Sequence, residues 1–450
     1  MSYWKLLTTT VPVLLLGAAI HGQTKVWTLQ DCIEYAIDNN ISLQQSRNSF
    51  LSGLEDTYQA KAAMLPSVSA STSQGLSNRP FSDTGTSSVV GSNVYNTSKS
   101  TSYSGNYGVN AGMTLWNGGS LRTALKQQRV QNSIDSLAVE ETANNIVIAI
   151  AQAYVQCLYA KDAVAVSESN EKASKAALDR AVEMKNAGEL SKVDVAQLES
   201  QHASDVYQIT SSKVNLDNSL LQLKQLLELG ISDEITLASP EDEEAEILRL
   251  LPAKEEIYDA ALEAMPEIKM AGLSVDAADL AIRQAKSNGL PSLSASAGIS
   301  TTNISGSSSS IASQIEKNFS ESIGLNLSIP ILQGRRAKTA VNKARISAEN
   351  TRLQQLSAEK ALLKEVENAY LDAISARSQY LAAKEQARYA EQSYEYTSEA
   401  FKVGKKNTVE VINAQNNLLG ARVSLLQAKY SAMLGNILLD IYQGKMNING

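Results

Sequence analysis

The chain has 450 residues, 43% of them apolar but only 5% aromatic, with 8 prolines and a formal net charge of −7. Scarce aromatics and prolines among abundant Ala, Ser, Gln, Leu, Lys and Glu favour long helices over ordinary mixed domains. The acidic balance, with no basic patch, gives no reason to expect nucleic acid.

The chain opens with Lys5 ahead of an apolar run, Leu6 to Ile20, then small residues before Gly22-Gln23. This reads as an export signal over residues 1–22. A membrane anchor is the alternative, but the run falls short of the roughly 20 residues a span needs and Pro12 interrupts it. No later stretch is apolar enough for a transmembrane helix, so any membrane contact must come through strands. Cys32 and Cys157 are the only cysteines, and in an oxidising compartment they either pair or stay as buried thiols. His202 is the only histidine after the signal, and no phosphate loop, GxSxG elbow or dinucleotide fingerprint is present. No catalytic residue, metal ligand or cofactor is therefore assigned, and the chain does not read as an enzyme.

The first repeat covers residues 23–230. Helix is expected from about Thr28 to Met64, with Thr28 and Asp31 as a capping pair. Pro66 stops it, and apolar/polar alternation begins in Leu65-Pro66-Ser67-Val68-Ser69-Ala70-Ser71. A Ser/Gly/Asn-rich loop leads to a second alternating run, Tyr107, Val109, Ala111, Met113 and Leu115, which closes with Trp116-Asn117-Gly118-Gly119. The hairpin thus spans about 66–117. A helix follows from about Ser120 to Ala187, then a turn, then a helix from about Lys192 to Leu229. Residues 231–254 form a linking segment with the acidic run Glu241-Asp242-Glu243-Glu244, read as a solvated loop.

The second repeat, 255–442, uses the same order before a tail at 443–450. Helix is expected over about Glu255–Ser287, and Leu290-Pro291-Ser292 echoes Leu65-Pro66-Ser67. The second hairpin spans about 291–332, and Gln333-Gly334 stands where the first half has Asn117-Gly118. Gly334, Tyr370 and Gly404 each lie 216 residues after Gly118, Tyr154 and Gly188. A constant offset across several landmarks indicates an internal duplication.

Two turns break the helical runs. The first is Met184–Val195 around Gly188, and the second is Phe401–Asn413 around Gly404, entering the next helix through Val409-Glu410-Val411. Each joins two antiparallel helices. The helix from Ser120 is about 100 Å long at 1.5 Å per residue, and the flanking helices about 56 Å, so two short helices match one long one. Alanine-rich stretches such as Ala149, Ala151 and Ala153 suit closely packed helical walls. Four short strands cannot close a barrel, and an open edge cannot sit in lipid. Three chains would supply twelve strands, a permitted number for a closed barrel. Phe81, Tyr103, Tyr107, Trp116 and Phe319 near the strand ends resemble an interfacial girdle.

The duplicated layout, the two Leu-Pro-Ser strand entries, the Trp116–Gly119 exit, the matching pairs Ala153-Tyr154 and Ala369-Tyr370, and both glycine turns resemble the TolC-like outer membrane efflux proteins. The resemblance covers nearly all of the chain after its signal. It implies a mainly α fold with a small β part: internally duplicated helical hairpins forming a trimeric periplasmic α-barrel, and a 12-stranded outer-membrane β-barrel with four strands per chain. It also implies a passive exit duct for small molecules or proteins. The partners it implies are outer-membrane lipid, two further copies of the chain, a periplasmic adaptor and an inner-membrane RND or ABC pump. The periplasmic gate maps onto Asp194, Phe401 (often Tyr in the family), Lys406 (a basic latch position), Glu410 (an acidic ring) and Asn413, where some members carry a second acid.

Independently of the family, three symmetry copies of Glu410 around a narrow axis would crowd like charges, concentrate cations and push a carboxyl pKa upward. The competing reading is a secreted structural or adhesive protein with coiled-coil stalks, which leaves the duplicated hairpins unexplained.

Overall fold

The computed structural model describes residues 26–78, 86–90, 93–97, 101–239, 243–307 and 309–445. The expected export signal, Phe81, Glu241 and Asp242 of the acidic run, and the chain end from 446 lie outside the described residues.

In chain order the elements are β1 (Val26–Trp27), α1 (Leu29–Asn39), α2 (Ile41–Ala62), β2 (Ser67–Asn78), β3 (Thr86–Val90), β4 (Asn93–Thr97), β5 (Thr101–Asn117), α3 (Ser120–Asn186) and α4 (Lys192–Leu226). Then come β6 (Thr236–Leu237), α5 (Glu243–Leu248), α6 (Lys254–Ala264), α7 (Pro266–Ser287), β7 (Ser292–Ile304), α8 (Ile311–Lys317), β8 (Ser320–Ser328), α9 (Arg336–Lys402) and α10 (Thr408–Tyr442). The fold is mainly helical with a small β part, and the two halves repeat one plan. Helices α3 and α9 have 67 residues each, and α4 and α10 have 35 each.

Two expected helices are interrupted. The run from Thr28 to Met64 stops at Asn39 and restarts at Ile41, because Asn40 takes an extended conformation and its Oδ1 accepts from Ser42 N (2.9 Å) and Leu43 N (3.2 Å). An asparagine amide competes well with the helix ladder for such donors. The run from Glu255 to Ser287 breaks at Met265, since Pro266 offers no N–H and sits at the start of α7. The capping pair at Thr28 is present: Thr28 N donates to Asp31 Oδ2 (3.0 Å) and Asp31 N to Thr28 Oγ1 (3.1 Å).

Two compact units can be described separately. The first takes in the described residues up to Asp38, Ala149–Glu246 and Ala382–Tyr430. Here β1 pairs in parallel with β6, and Tyr154 Oη donates to the Ala238 carbonyl (2.6 Å) while Trp27 packs edge-on to Tyr35. Burial, with Cys32, Asp31 and Cys157 nearby, pushes the Tyr154 hydroxyl up to about 12. Cys32 and Cys157 are buried thiols and form no disulfide.

The second unit takes in Asn39–Ile148, Ile247–Leu381 and the described residues from Ser431. Its helical core joins Ile257, Ala261 and Met265 to Leu362, Val366, Ala373 and Leu439. Gly435 lets α10 lie close to α9, since a Cβ there would stand 3.0 Å from Ala373 Cα. Arg249 fastens the linking segment to α10 through Asp440 (2.7 Å) and the Asn436 carbonyl (2.8 Å).

The same unit holds one antiparallel four-stranded sheet in the order β2-β5-β7-β8. The register puts Val68, Ala70, Val109, Ala111, Ala295, Ala297 and Leu325 on one face, and serines, asparagines and glycines on the other. The apolar face is exposed: Val68, Ile323 and Leu325 are 70%, 92% and 71% accessible. A bulge between Thr114 and Trp116 interrupts the alternation expected through Leu115. It sets Trp116 opposite Leu293, on the apolar face. The loop between β2 and β5 contains the hairpin β3–β4. In the second loop α8 folds back on β7, with Gln314 buried and bonded to both backbone groups of Ile304.

Pro66 stands between α2 and β2, and Pro291 directly precedes β7. Gly118 and Gly334 take φ of +64° and +53° at the exits from the hairpins. Gly118 is doubly required, because a Cβ would sit 2.8 Å from Leu290 Cβ and 2.9 Å from the Ser287 carbonyl oxygen.

Candidate functional site in the paired helix turns

Both turns belong to the first unit and share one backbone solution. After α3, Gly188 (φ +81°) lets Glu189 N reach the Met184 carbonyl (2.9 Å) and Gly188 N the Lys185 carbonyl (3.0 Å). After α9, Gly404 (φ +70°) lets Lys405 N reach the Ala400 carbonyl and Gly404 N the Phe401 carbonyl, both at 2.9 Å. Each is a Schellman closure that needs a residue without a Cβ penalty at the left-handed position.

The helices that follow are capped alike. Ser191 Oγ accepts from Asp194 N (3.2 Å) and donates to Asp194 Oδ2 (2.6 Å). Asn407 Oδ1 accepts from Glu410 N (2.9 Å), and Glu410 Oε2 accepts from Asn407 N (3.0 Å), a reciprocal box. Asp194 and Glu410 therefore each close the first turn of their own helix, where a negative charge also suits the helix dipole.

Lys406 Nζ pairs with Glu410 Oε1. With the Lys406 hydrogen bond first and the Asn407 N–H second, this holds the Glu410 carboxyl below its ordinary value. Within one protomer the shift therefore runs opposite to the upward shift expected from crowded symmetry copies, because the near cation outweighs the desolvation that would raise it.

Phe401 is 3% exposed and belongs to an apolar cluster with Ala181, Met184, Val195, Leu198 and Val411. This cluster packs the two turns together, with both hairpins contributing. The phenyl ring and Met184 thus serve as core here, where a tyrosine hydroxyl would find hydrocarbon around it. Asp194 and Lys406 do not meet: Asp194 bonds Ser191, and Lys406 bonds Glu410. Asn413 lies further along α10 with its side chain exposed.

Sequence reading missed Arg180. Its Nη2 donates to the Lys402 carbonyl (3.4 Å) at the end of α9, and its Nη1 pairs with Glu183 (3.0 Å). It also missed a buried amide cluster above the turns. Gln415 Nε2 donates to the Asn170 carbonyl (3.1 Å), to Asn170 Oδ1 (3.1 Å) and to Asp205 Oδ2 (3.2 Å), while Gln201 holds Asp205 Oδ1 (2.9 Å). No local pattern announces contacts spanning more than 200 residues. The caps were legible, since Ser191 and Asn407 each precede an acid by three positions.

No helix among the described residues is long and apolar enough to cross a membrane. The arrangement brings together caps, an ion pair and an apolar clamp. It packs the ends of two helical hairpins together.

Comparison with known proteins agrees with the geometry. The family model described as "Outer membrane efflux protein" matches residues 32–228 and 257–438. Outer membrane protein TolC of Salmonella enteritidis is 25% identical over 342 residues, 74% of this chain and 67% of that protein. Outer membrane efflux protein BepC of Brucella suis is 22% identical over 437 residues, 96% of this chain and 89% of that one. A crystal structure of CusC superposes with a TM-score of 0.77 at 18% identity, covering 92% of this chain and 91% of that one, which bears on the fold alone. The matched segments take in both halves of the duplicated plan, and the chain belongs to the outer membrane efflux protein family.

Proposed function

We propose that the protein is the outer-membrane exit duct of a tripartite efflux or type I secretion machine, passively conducting small molecules or proteins. Membership of the family places it in the cell outer membrane, reaching into the periplasm. The observation that carries the reading is the sheet. Among the described residues its outer strands β2 and β8 each pair on one side only, and one face is apolar and exposed. An unpaired edge is untenable in lipid, so the sheet must close. Three copies placing β8 beside the next β2 give twelve strands with the apolar face outward.

The helices support the same assembly. On α4, Tyr207, Val214 and Leu221 recur every seventh residue and are 74%, 52% and 53% exposed. An exposed apolar stripe beside the buried line of Asp205, Ser212 and Ser219 suits a helix with neighbours on both sides. In this reading Asp194, Phe401, Lys406, Glu410 and Asn413 sit at the periplasmic gate. Gly188 and Gly404 form the gate turns, and Pro66, Gly118, Pro291 and Gly334 the junctions between barrels. Residues 1–22 are removed on export, and 231–254 girdle the helical barrel. The partners are a periplasmic adaptor and an inner-membrane RND or ABC pump.

The test is fractionation and size. The protein should extract with the outer membrane and run as a trimer by light scattering in detergent. Recovery as a soluble monomer would sink the proposal. Single-channel recording of Glu410→Ala, Asp194→Ala and Lys406→Ala should show altered conductance. If all three match the parent, these residues do not form the gate.

A further inference from the structure

The four-stranded sheet has a second face that the closure argument does not use. On β2 the positions alternating with Val68, Ala70 and Leu76 are Ser67, Ser69, Ser71, Ser73, Gly75 and Ser77. The register carries this face across the other strands, through Asn110 and Gly112 on β5, Ser294 and Ser296 on β7, and Gly324 and Asn326 on β8. From Ser67 to Ser328 every position on it is Ser, Thr, Asn or Gly, except Ile304, which is buried at the end beside α8. In the whole sheet Glu321 is the single charged residue, and it lies on the apolar face opposite Ile299.

The side chains confirm that these residues share one surface. Ser300 Oγ and Ser320 Oγ lie 3.0 Å apart across β7 and β8. A Cβ at Gly75 would meet Ser104 Oγ at 3.1 Å, and one at Gly324 would meet Ser296 Oγ at 3.2 Å. Several hydroxyls are already used within the wall. Ser67 Oγ donates to the Gly112 carbonyl (3.3 Å) and Ser322 Oγ to the Gly298 carbonyl (3.4 Å).

We infer that this face forms a charge-blind, weakly adhesive lining at the outer end of the duct, passing cargo of either sign without selecting among it. The inference rests on the duct reading, which sets the apolar face in lipid and this face on water. Selection by charge in a pore needs rings of ionised side chains or a fixed field along the wall. This surface has neither, and its short side chains leave width as well as neutrality. Any charge filter then lies in the helical part, where Asp194 and Glu410 stand.

Single cysteines test this on the full-length protein in liposomes, with the parent labelled in parallel because Cys32 and Cys157 are buried. Ser71→Cys and Ser296→Cys sample the polar face; Ala297→Cys and Leu325→Cys sample the apolar one. Two water-soluble methanethiosulfonates, one trimethylammonium and one sulfonate, are reacted with each. Both should modify the polar-face cysteines, with a rate ratio within about threefold of that for a free thiol, and should spare the apolar face. Spared apolar positions with a preference of about tenfold or more for one sign at Ser71 and Ser296 overturn the neutral lining alone. Equal modification of both faces shows that the sheet is not in lipid and overturns the duct reading with it. As a second measurement, Ser296→Asp should move the reversal potential toward cations in a salt gradient. An unmoved potential takes this face off the conduction path.

Discussion

Arg335 stands in the same left-handed backbone conformation as Gly119, its counterpart 216 residues earlier: φ is +67° at the arginine and +82° at the glycine. Glu228 (φ +55°) and Gly444 (φ +67°) repeat the relationship at the ends of α4 and α10. The duplicated backbone makes the same turn in both copies, with the glycine that the turn prefers in only one of them. A side chain in this region costs about 1–2 kcal/mol.

Arg335→Gly should therefore stabilise the protein. The relief of about 1–2 kcal/mol is partly offset by about 0.4–1 kcal/mol of added chain entropy in the unfolded state, leaving a gain of about 0.5–1 kcal/mol. Denaturant unfolding in detergent measures it. Gly119→Ala should cost about 0.5–1 kcal/mol, backbone strain less the lowered unfolded-state entropy, since nothing lies near its Cβ position. Gly118→Ala should cost more, because there the methyl also meets Leu290 and Ser287.

Phe401→Ala should open a cavity between the paired turns and cost about 3–5 kcal/mol. Phe401→Tyr tests the core assignment more sharply. A hydroxyl placed among Met184, Val195 and Leu198 lacks a partner and should cost about 1–3 kcal/mol. A tyrosine variant as stable as the parent would show that the ring edge reaches water or a polar group.

Asn407→Ala removes an N-cap and should loosen the start of α10 by about 1 kcal/mol, read as lost hydrogen-exchange protection over Thr408–Ile412. Ser191→Ala should do the same for α4, and neither should disturb the amides of the sheet.

Glu410 sets a pH dependence. Its folded pKa is depressed, so its contribution is present above the unfolded value near 4.3 and is lost as pH falls through the lower folded value. Protection at the start of α10 should hold from neutral pH down through the ordinary glutamate range and fail only below it. Lys406→Gln should move that failure upward in pH.

Cys157 should resist alkylation in the folded protein, because burial pushes its thiol up to about 12 and leaves little thiolate near pH 8. Iodoacetamide should label it only as denaturant unfolds the chain.

Much of this was written locally. The Leu-Pro-Ser entries and the Gly-Gly exit are short-range signals, because proline and glycine act on the backbone at their own positions, and the constant 216-residue offset is read from the sequence directly. Two interruptions escaped a reading tuned to long helices, although Asn40 and Pro266 carry the chemistry for them. The bulge at Leu115 escaped because it is defined by the partner strand: only pairing with β7 shows that Trp116, and not Leu115, faces Leu293.

The candidate site divides the same way. Gly188, Gly404, Asp194 and Glu410 lie within a few residues of the groups they serve, so the sequence by itself determined that two capped turns join antiparallel helices. The burial of Phe401 against Val195, the reach of Arg180 to the Lys402 carbonyl and the Gln415–Asn170–Asp205 cluster join residues more than 200 positions apart. Those contacts depend on which helix faces align when the hairpins pack, a many-body outcome that no local pattern encodes. The tertiary structure alone decided that Phe401 is core, that Gln415 meets Asn170 and Asp205, and that the four strands align their uncharged positions on one side of the sheet.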